Sequence, residues 1–425
     1  MPFIKPFRAV RPNKSVVGYV AALPYDVVST EEARELTAEN PLSFLHVDRA
    51  EVDLPSAVDP YDALVYAKAR ENLDAMMAEH VFIEDEDEHL YIYRQIMDGR
   101  VQTGLVCCTS IDDYEQGIIK KHEHTLPSKE ADRIRHMEAC EAHTGPIFQA
   151  YRPHPEVHSV LSDWTGSREA LYDFATSDDV RHVIWLIDDA PVKEKLISLF
   201  QDIPHLYIAD GHHRTAAAWQ VGRRRRDANP NYTGNEGYNF FLSILFPADE
   251  LHVMPYNRVV QNLGGLSEED FLTAVKERFS VESAEEPVQP TQKYHYGMCL
   301  GGRWYLLKAK DIPAGDDPVA ALDVSVLQNC LLQPILGIDD PRSDDRIAFV
   351  GGIRGTAGLE TYTAEGAAAA FSLYPTGVEE VMAAADAGRV MPPKSTWFEP
   401  KLRSGVFIHR LDDGHSSKSR KSTAF

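Results

Sequence analysis

Between residues 180 and 226 the chain passes from one strand-like stretch through a helix to a second strand, then turns sharply into another helix. "VRHVIWLIDD" (180–189) and "PHLYIADG" (204–211) are the continuous apolar runs of buried strands. They bracket the helical stretch "APVKEKLISLFQD", which is a β-α-β pattern. "RTAAAWQVGRRRR" (214–226) then reads as a helix. At the junction stands "IADGHHRTAAAW" (208–219): the strand ends at Asp210, Gly211 allows the turn, and a helix starts near His212. This order predicts a mixed α/β (α+β) fold.

The other segments agree. "STEEARELTAEN" (29–40) opens with Ser29 and carries Glu32 three residues on, the pattern of a capping box. Residues 60–82 have apolar side chains at helical spacing. Residues 89–111 read as a hairpin about Asp98–Gly99, and 293–309 as a second hairpin about Gly301–Gly302. Helices are expected over 129–142 and 267–279, a strand over 238–247, and one long amphipathic helix over 319–338. A chain of 425 residues exceeds one typical core. The expected division is an α/β segment at 1–150, a core at 151–260, a second α/β segment at 261–410, and a Ser/Lys-rich disordered tail at 411–425.

Lys and Arg number 43 against 65 Asp and Glu, a formal charge of −22. Such a chain is repelled by nucleic acid and by anionic membranes. The best basic patch, Arg223–Arg226, has no interleaved aromatic residues and reads as a solvated helix end. The start, "MPFIKPFRAVRP", has no apolar signal region, and no apolar stretch is long enough to span a bilayer. The five cysteines form no CxxC pair, which fits buried thiols in a reducing cytoplasm and argues against a cysteine-based zinc site. Neither a nucleic acid nor a membrane partner is expected.

Three clusters carry chemistry. The first is Asp210, Gly211, His212, His213 and Arg214. Asp210 can cap the helix, and the first helical turn offers N–H groups and partial positive charge to an anion. Arg214 can grip a phosphate with two parallel bonds. Neighbouring His212 and His213 lie about 100° apart on a helix and do not easily share a metal ion. The second is "KKHEHT" (120–125), with His122 and His124 on one face of a strand and Glu123 on the other. Glu123 is a candidate general base or Mg²⁺ ligand, against a solvated loop. Lys129 and Arg133 follow one helical turn apart, as phosphate anchors or surface charge. The third is "MPPKSTWFEPKLRSG" (391–405), where two prolines stiffen a loop bearing Lys394, Ser395 and Thr396. It lacks the glycines of a phosphate loop. Tyr25 and Asp26 mark a turn in "LPYDVVS", and Gly-rich "FVGGIRG" lacks dinucleotide spacing.

Taken in order, "MPFIKPFRAVRP", "LPYDVVS", "KHEHTLPSKEADR", "ADGHHRTAAA", "LDVSVLQNCLLQPILGI" and "MPPKSTWFEPKLRSG" strongly resemble the domain-of-unknown-function family 1015. The central string is also similar to the signature of the ParB/sulfiredoxin-like superfold, in which free serine kinases carry a closely similar Asp-Gly-His-His-Arg string. The resemblance implies a ParB/sulfiredoxin-like phosphate-binding core elaborated by additional α/β segments. It makes Asp210, His212, His213 and Arg214 the phosphate-handling residues.

The activity implied is a small-molecule phosphotransferase. It would move a phosphoryl group between ATP, ADP or pyrophosphate and the hydroxyl of a serine-like metabolite, in either direction. Glu123, Asp210 and His213 are the candidate catalytic residues, with Mg²⁺ on Glu123 and Asp210. Gly211, His212, Arg214, Lys129, Arg133, Lys394, Ser395 and Thr396 would hold phosphate or nucleotide. Tyr25, Asp26 and His122 would meet the substrate. The alternatives are a ParB-like nucleotide-binding regulator without catalysis, and a metal-dependent hydrolase using His122, His124, Asp210 and one of the paired histidines.

Overall fold

A computed structural model describes residues 1–313 and 315–412 of the chain. The tail expected to be disordered lies, from 413 on, outside the described residues. The chain forms two compact units. The first comprises 1–121, 125–250 and the segment from 400; the second comprises 122–124 and 251–399.

The first unit is built on a nine-stranded mixed sheet. Its strands are β1 (Ile4–Lys5), β2 (Leu90–Met97), β3 (Arg100–Ser110), β4 (Ile119–Lys120), β5 (Ile147–Tyr151), β6 (Tyr172–Ala175), β7 (Arg181–Ile187), β8 (Leu206–Asp210) and β9 (Phe240–Pro247). The spatial order is β4-β8-β5-β9-β3-β2-β7-β6, with β1 on β3. The hairpin β2–β3 turns at Asp98 and Gly99, both at positive φ (50° and 76°). Strands from 1–150 and from 151–260 therefore share one sheet.

Eight helices matter below. They are α1 (Thr30–Thr37), α2 (Leu45–Asp48), α3 (Ala63–Ala78), α4 (Pro127–Cys140), α5 (Pro155–Ser167), α6 (Ala190–Gln201), α7 (His212–Ala228) and, in the second unit, α8 (Glu268–Arg278). The Ser29–Glu32 capping box opens α1 as expected. The β7-α6-β8 pattern is present, and the two strands run the same way. They are not neighbours, because β2, β3, β9 and β5 lie between them. Leu196 and Phe200 of α6 and Ala217, Ala218 and Val221 of α7 pack in one core with Ile187, Leu206, Ile208 and Phe241. The small alanines let α7 lie close to the sheet.

Gly222 takes that closeness furthest. A Cβ there would stand 2.4 Å from the Tyr238 carbonyl oxygen and 2.7 Å from Ile111 Cδ1. Gly222→Ala gains roughly 1 kcal/mol of helix propensity. The backbone clash costs about 1–3 kcal/mol. A net loss in urea denaturation is the expected result; a gain in stability would contradict this packing.

At the helix end, all four arginines of "RRRR" are paired with carboxylates. Arg223 meets Glu115 (2.6 Å), Arg224 Glu138 (3.7 Å), Arg225 Asp412 (3.6 Å) and Arg226 Asp112 (2.7 Å). The patch is a solvated, neutralised helix end, as its sequence suggested.

The second unit holds a six-stranded antiparallel sheet. Its strands are β10 (Tyr256–Val260), β11 (Phe279–Ala284), β12 (His295–Leu300), β13 (Arg303–Ala309), β14 (Ile347–Gly351) and β15 (Ala369–Leu373), in the order β11-β13-β12-β15-β10-β14. Phe271 and Val275 of α8 pack on Tyr296, Met298, Leu307 and Phe371. The helix expected over 319–338 is shorter and interrupted. A turn and a half of α-helix (Asp323–Leu327) widens into π-helix (Gln328–Leu332) before α-helix resumes (Gln333–Leu336). Pro334 is the physical reason: it has no N–H to give, and its ring crowds the carbonyl of Cys330. Among the described residues, no helix is long and apolar enough to cross a membrane.

Candidate functional site

The junction of β8 and α7 forms a tight polar turn in the first unit. Gly211 sits at φ 93°, ψ 29°, a left-handed conformation that an L side chain resists. This bends the chain straight from strand into helix, and α7 begins at His212 with Gly211 at its N-cap. The Asp210 Oδ1 accepts from the Gly211 N–H (2.8 Å). Its Oδ2 accepts from Lys401 Nζ at 2.7 Å. The Lys401 side chain is 7% exposed and that of Asp210 38%. A nearly buried ammonium thus stands beside a helix N-terminus whose partial charge is also positive.

The two histidines of the turn diverge. His212 is buried. His213 is half-buried, and its Nε2 accepts from the Leu126 N–H (3.1 Å), which ties the start of α7 to the entry of α4. With Nε2 acting as acceptor, the ring proton of the neutral imidazole belongs on Nδ1.

Arg214 turns inward. Its Nη1 donates to the Pro146 carbonyl (2.9 Å) and its Nη2 lies 3.9 Å from Asp48 Oδ2. Gly145 makes room, since a Cβ there would stand 2.6 Å from Arg214 Nη1. Arg133 is also buried, bonded to Asp132 (2.9 Å) with its guanidinium 3.8 Å from the Tyr25 ring centroid. Arg214 approaches the same ring at 5.8 Å. Thr144 donates to Asp48 Oδ1 (2.7 Å). Two guanidiniums and two carboxylates thus offset each other inside the unit, as buried charges must.

Burial pushes the Asp48 carboxyl up. His136, Arg214, Arg133 and the Ser404 hydroxyl more than reverse this, so it is held below the usual carboxylate range. Burial, reinforced by Arg133, pulls the His136 imidazole down to about 4. Burial raises the Tyr25 phenol well above its ordinary value, so it stays protonated. The neighbouring Asp26 is exposed.

Lys129 donates to the Tyr61 hydroxyl (2.8 Å) and stacks over that ring, on the exposed side of α4. Tyr25, Asp26, Lys129, Arg133, Asp210, Gly211, His212, His213 and Arg214 thus all belong to the first unit.

The other expected residues belong to the second. His122, Glu123 and His124 lie in a loop, not on a strand, because β4 ends at Lys120. The two histidines do not share a face: His122 is buried and His124 exposed. Glu123 and His124 line a cleft of this unit. The loop 391–396 is braced by Arg258, which is buried and donates to the carbonyls of Pro393 (3.0 Å) and Lys394 (2.9 Å). Lys394, at φ 53°, sets its Nζ over the Tyr256 ring (5.6 Å). Ser395 is buried and donates to the Pro392 carbonyl (2.6 Å), while Thr396 is half-buried.

Sequence reasoning passed over Lys401, Asp48, Thr144 and Gly145. Lys401 lies in the third cluster, seven residues beyond the lysine singled out there. A cation following Pro400 in a stiff loop was the available signal. Asp48, in "HVDR", offers none.

The family model described as "Protein of unknown function (DUF1015)" matches residues 4–325. The loop at 391–405 lies beyond the matched range. Among solved structures, the chain is similar to a free serine kinase in complex with AMP (12% identity, TM-score 0.38, covering 72% of this chain and 91% of that one). It is similar to a conserved hypothetical protein from Pyrococcus furiosus (14%, 0.36, 72% and 95%). It is also similar to SbnI with a C-terminal truncation from Staphylococcus aureus (13%, 0.38, 70% and 85%). No curated protein matches it significantly.

Proposed function

The chain belongs to the DUF1015 family, and from that premise we propose that it is a small-molecule phosphotransferase working at the turn 210–214. The observation that carries this is the start of α7 at left-handed Gly211, with the Lys401 ammonium 2.7 Å from Asp210 at the same turn. The positive end of a helix, a close backbone approach at Gly211 and a fixed cation are what a phosphate needs.

Phosphoryl transfer asks mainly for positioning and charge neutralisation. In this reading the hydroxyl oxygen of a serine-like acceptor forms the new P–O bond as the bond to the nucleotide or pyrophosphate breaks. Asp210 takes the hydroxyl proton, and Lys401 offsets charge on the transferring group. His213 fixes the turn through Leu126. Arg214 and Arg133 act as positioning residues from below, through Asp48 and Tyr25. Tyr25 and Asp26, of the same unit as the turn, are the substrate contacts of this proposal.

A Mg²⁺ ion on Asp210 does not fit this arrangement. One carboxylate oxygen is bonded to a backbone N–H and the other to an ammonium, whose charge opposes a second cation there. Lys401 supplies the positive charge in its place.

The test is phosphorus NMR of the chain with ATP, ADP or pyrophosphate and a panel of hydroxyl metabolites that includes serine, and with phosphoserine for the reverse direction. A new phosphomonoester signal, matched by loss of the donor, is the expected result. No transfer with any pair would leave a binding role only.

A further inference from the structure

We propose that the second unit binds a small organic cation carrying more than one ammonium group, in the cleft beside its π-helix. The inference is independent of the reading of the turn at Asp210. The cleft has a volume of about 580 Å³, within the roughly 300–1,000 Å³ of small-molecule sites.

Its chemistry is that of an acceptor. Four carboxylates line it: Glu123, Asp317, Asp339 and Asp340. The two guanidiniums there are already engaged. Arg342 is forked onto Asp340 (2.8–3.2 Å), and Arg389 meets Asp317 at 3.1 Å. The carboxylates lining the cleft therefore outnumber its guanidiniums by four to two. Gln328 spends one amide N–H on the Ile338 carbonyl (2.7 Å), and its side-chain carbonyl oxygen adds an acceptor to the cleft. Anions and neutral acceptors find little here, whereas a donor-rich cation finds partners throughout.

A second observation points to a ligand rather than to a solvated acidic surface. Ser325 lines the cleft and is 4% exposed, yet its hydroxyl has no hydrogen-bond partner among the described residues. A buried hydroxyl without a partner costs about 1–3 kcal/mol. An ammonium seated between Ser325 and the carboxylates would satisfy it. Ser325 and Gln328 lie where the helix opens from α into π geometry, a distortion that recurs at functional sites.

The test is isothermal titration of the full chain with putrescine and with spermidine at low ionic strength. Saturable binding of at least one is expected, weakened tenfold or more by Asp339→Asn and by Ser325→Ala. Asp339 is exposed, so the first variant should keep its fold; thermal melting checks both. Three outcomes would overturn the proposal. One is no saturable binding of either amine. Another is binding that both variants leave unchanged, the mark of a diffuse acidic surface. The third is saturable binding of inorganic phosphate that Arg342→Ala abolishes, which would make the cleft an anion site.

Discussion

Replacing Lys401 by Met is expected to lower phosphoryl transfer by about 10²–10³-fold, the scale seen when one preorganised charge-stabilising donor is removed. Its Nζ is the fixed cation at the turn, with a side chain only 7% exposed. Without it, Asp210 presents an uncompensated carboxylate to an incoming phosphate. The loss should therefore fall on KM as well as kcat. Asp210→Asn keeps an acceptor for the Gly211 N–H but can no longer take a proton, so its loss should fall mainly on kcat. Steady-state rates followed by phosphorus NMR, with circular dichroism to confirm folding, separate the two. A Lys401→Met variant with unaltered KM and kcat would remove this residue from the site.

The second large effect is on stability in acid. Burial pulls the imidazoles of His136 and His409 down to about 4 and that of His182 to about 3, and holds His143 well below its ordinary value. All four lie in the first unit. Each stays neutral when folded and gains a proton on unfolding below about pH 6.5. The unfolded state then binds more protons, so stability falls as pH falls. The full contribution is present above pH 6.5 and is lost progressively between about pH 6.5 and 3. The slope approaches about 1.4 kcal/mol per pH unit for each histidine. Urea midpoints measured at pH 7.5, 6, 5 and 4.5 should drop steeply in that order. A flat profile would mean that these rings are charged in the folded state.

What could be read in the sequence was local. Asp98–Gly99 specified a hairpin turn because both residues tolerate positive φ, and Ser29 with Glu32 specified a helix start because the two bonds close within four residues. Gly211 marked the bend before α7 for the same reason. The apolar run at 204–211 identified a strand but not its neighbours, since sheet order is set by pairings between distant segments. The helix over 319–338 kept its apolar spacing while Pro334 changed its winding. Asp210 was singled out from the residues next to it, but its ion pair with a lysine 191 residues away has no local signal. Asp48 and Arg214 likewise meet only because separate helices bring them together.

The first unit returns to the chain at residue 400, after the second has been written out. On the ribosome, the sheet carrying Asp210 and Gly211 emerges well before Lys401 does. Until that late segment docks, with Gln95 donating to the Lys401 carbonyl and Ser404 joined to Ala22 through the backbone, the turn has no ammonium beside its carboxylate. Order of synthesis thus sets a timing that the proposed activity would inherit: a nascent or C-terminally clipped chain carries the turn without its cation. Activity would begin only once the last stretch has been threaded home.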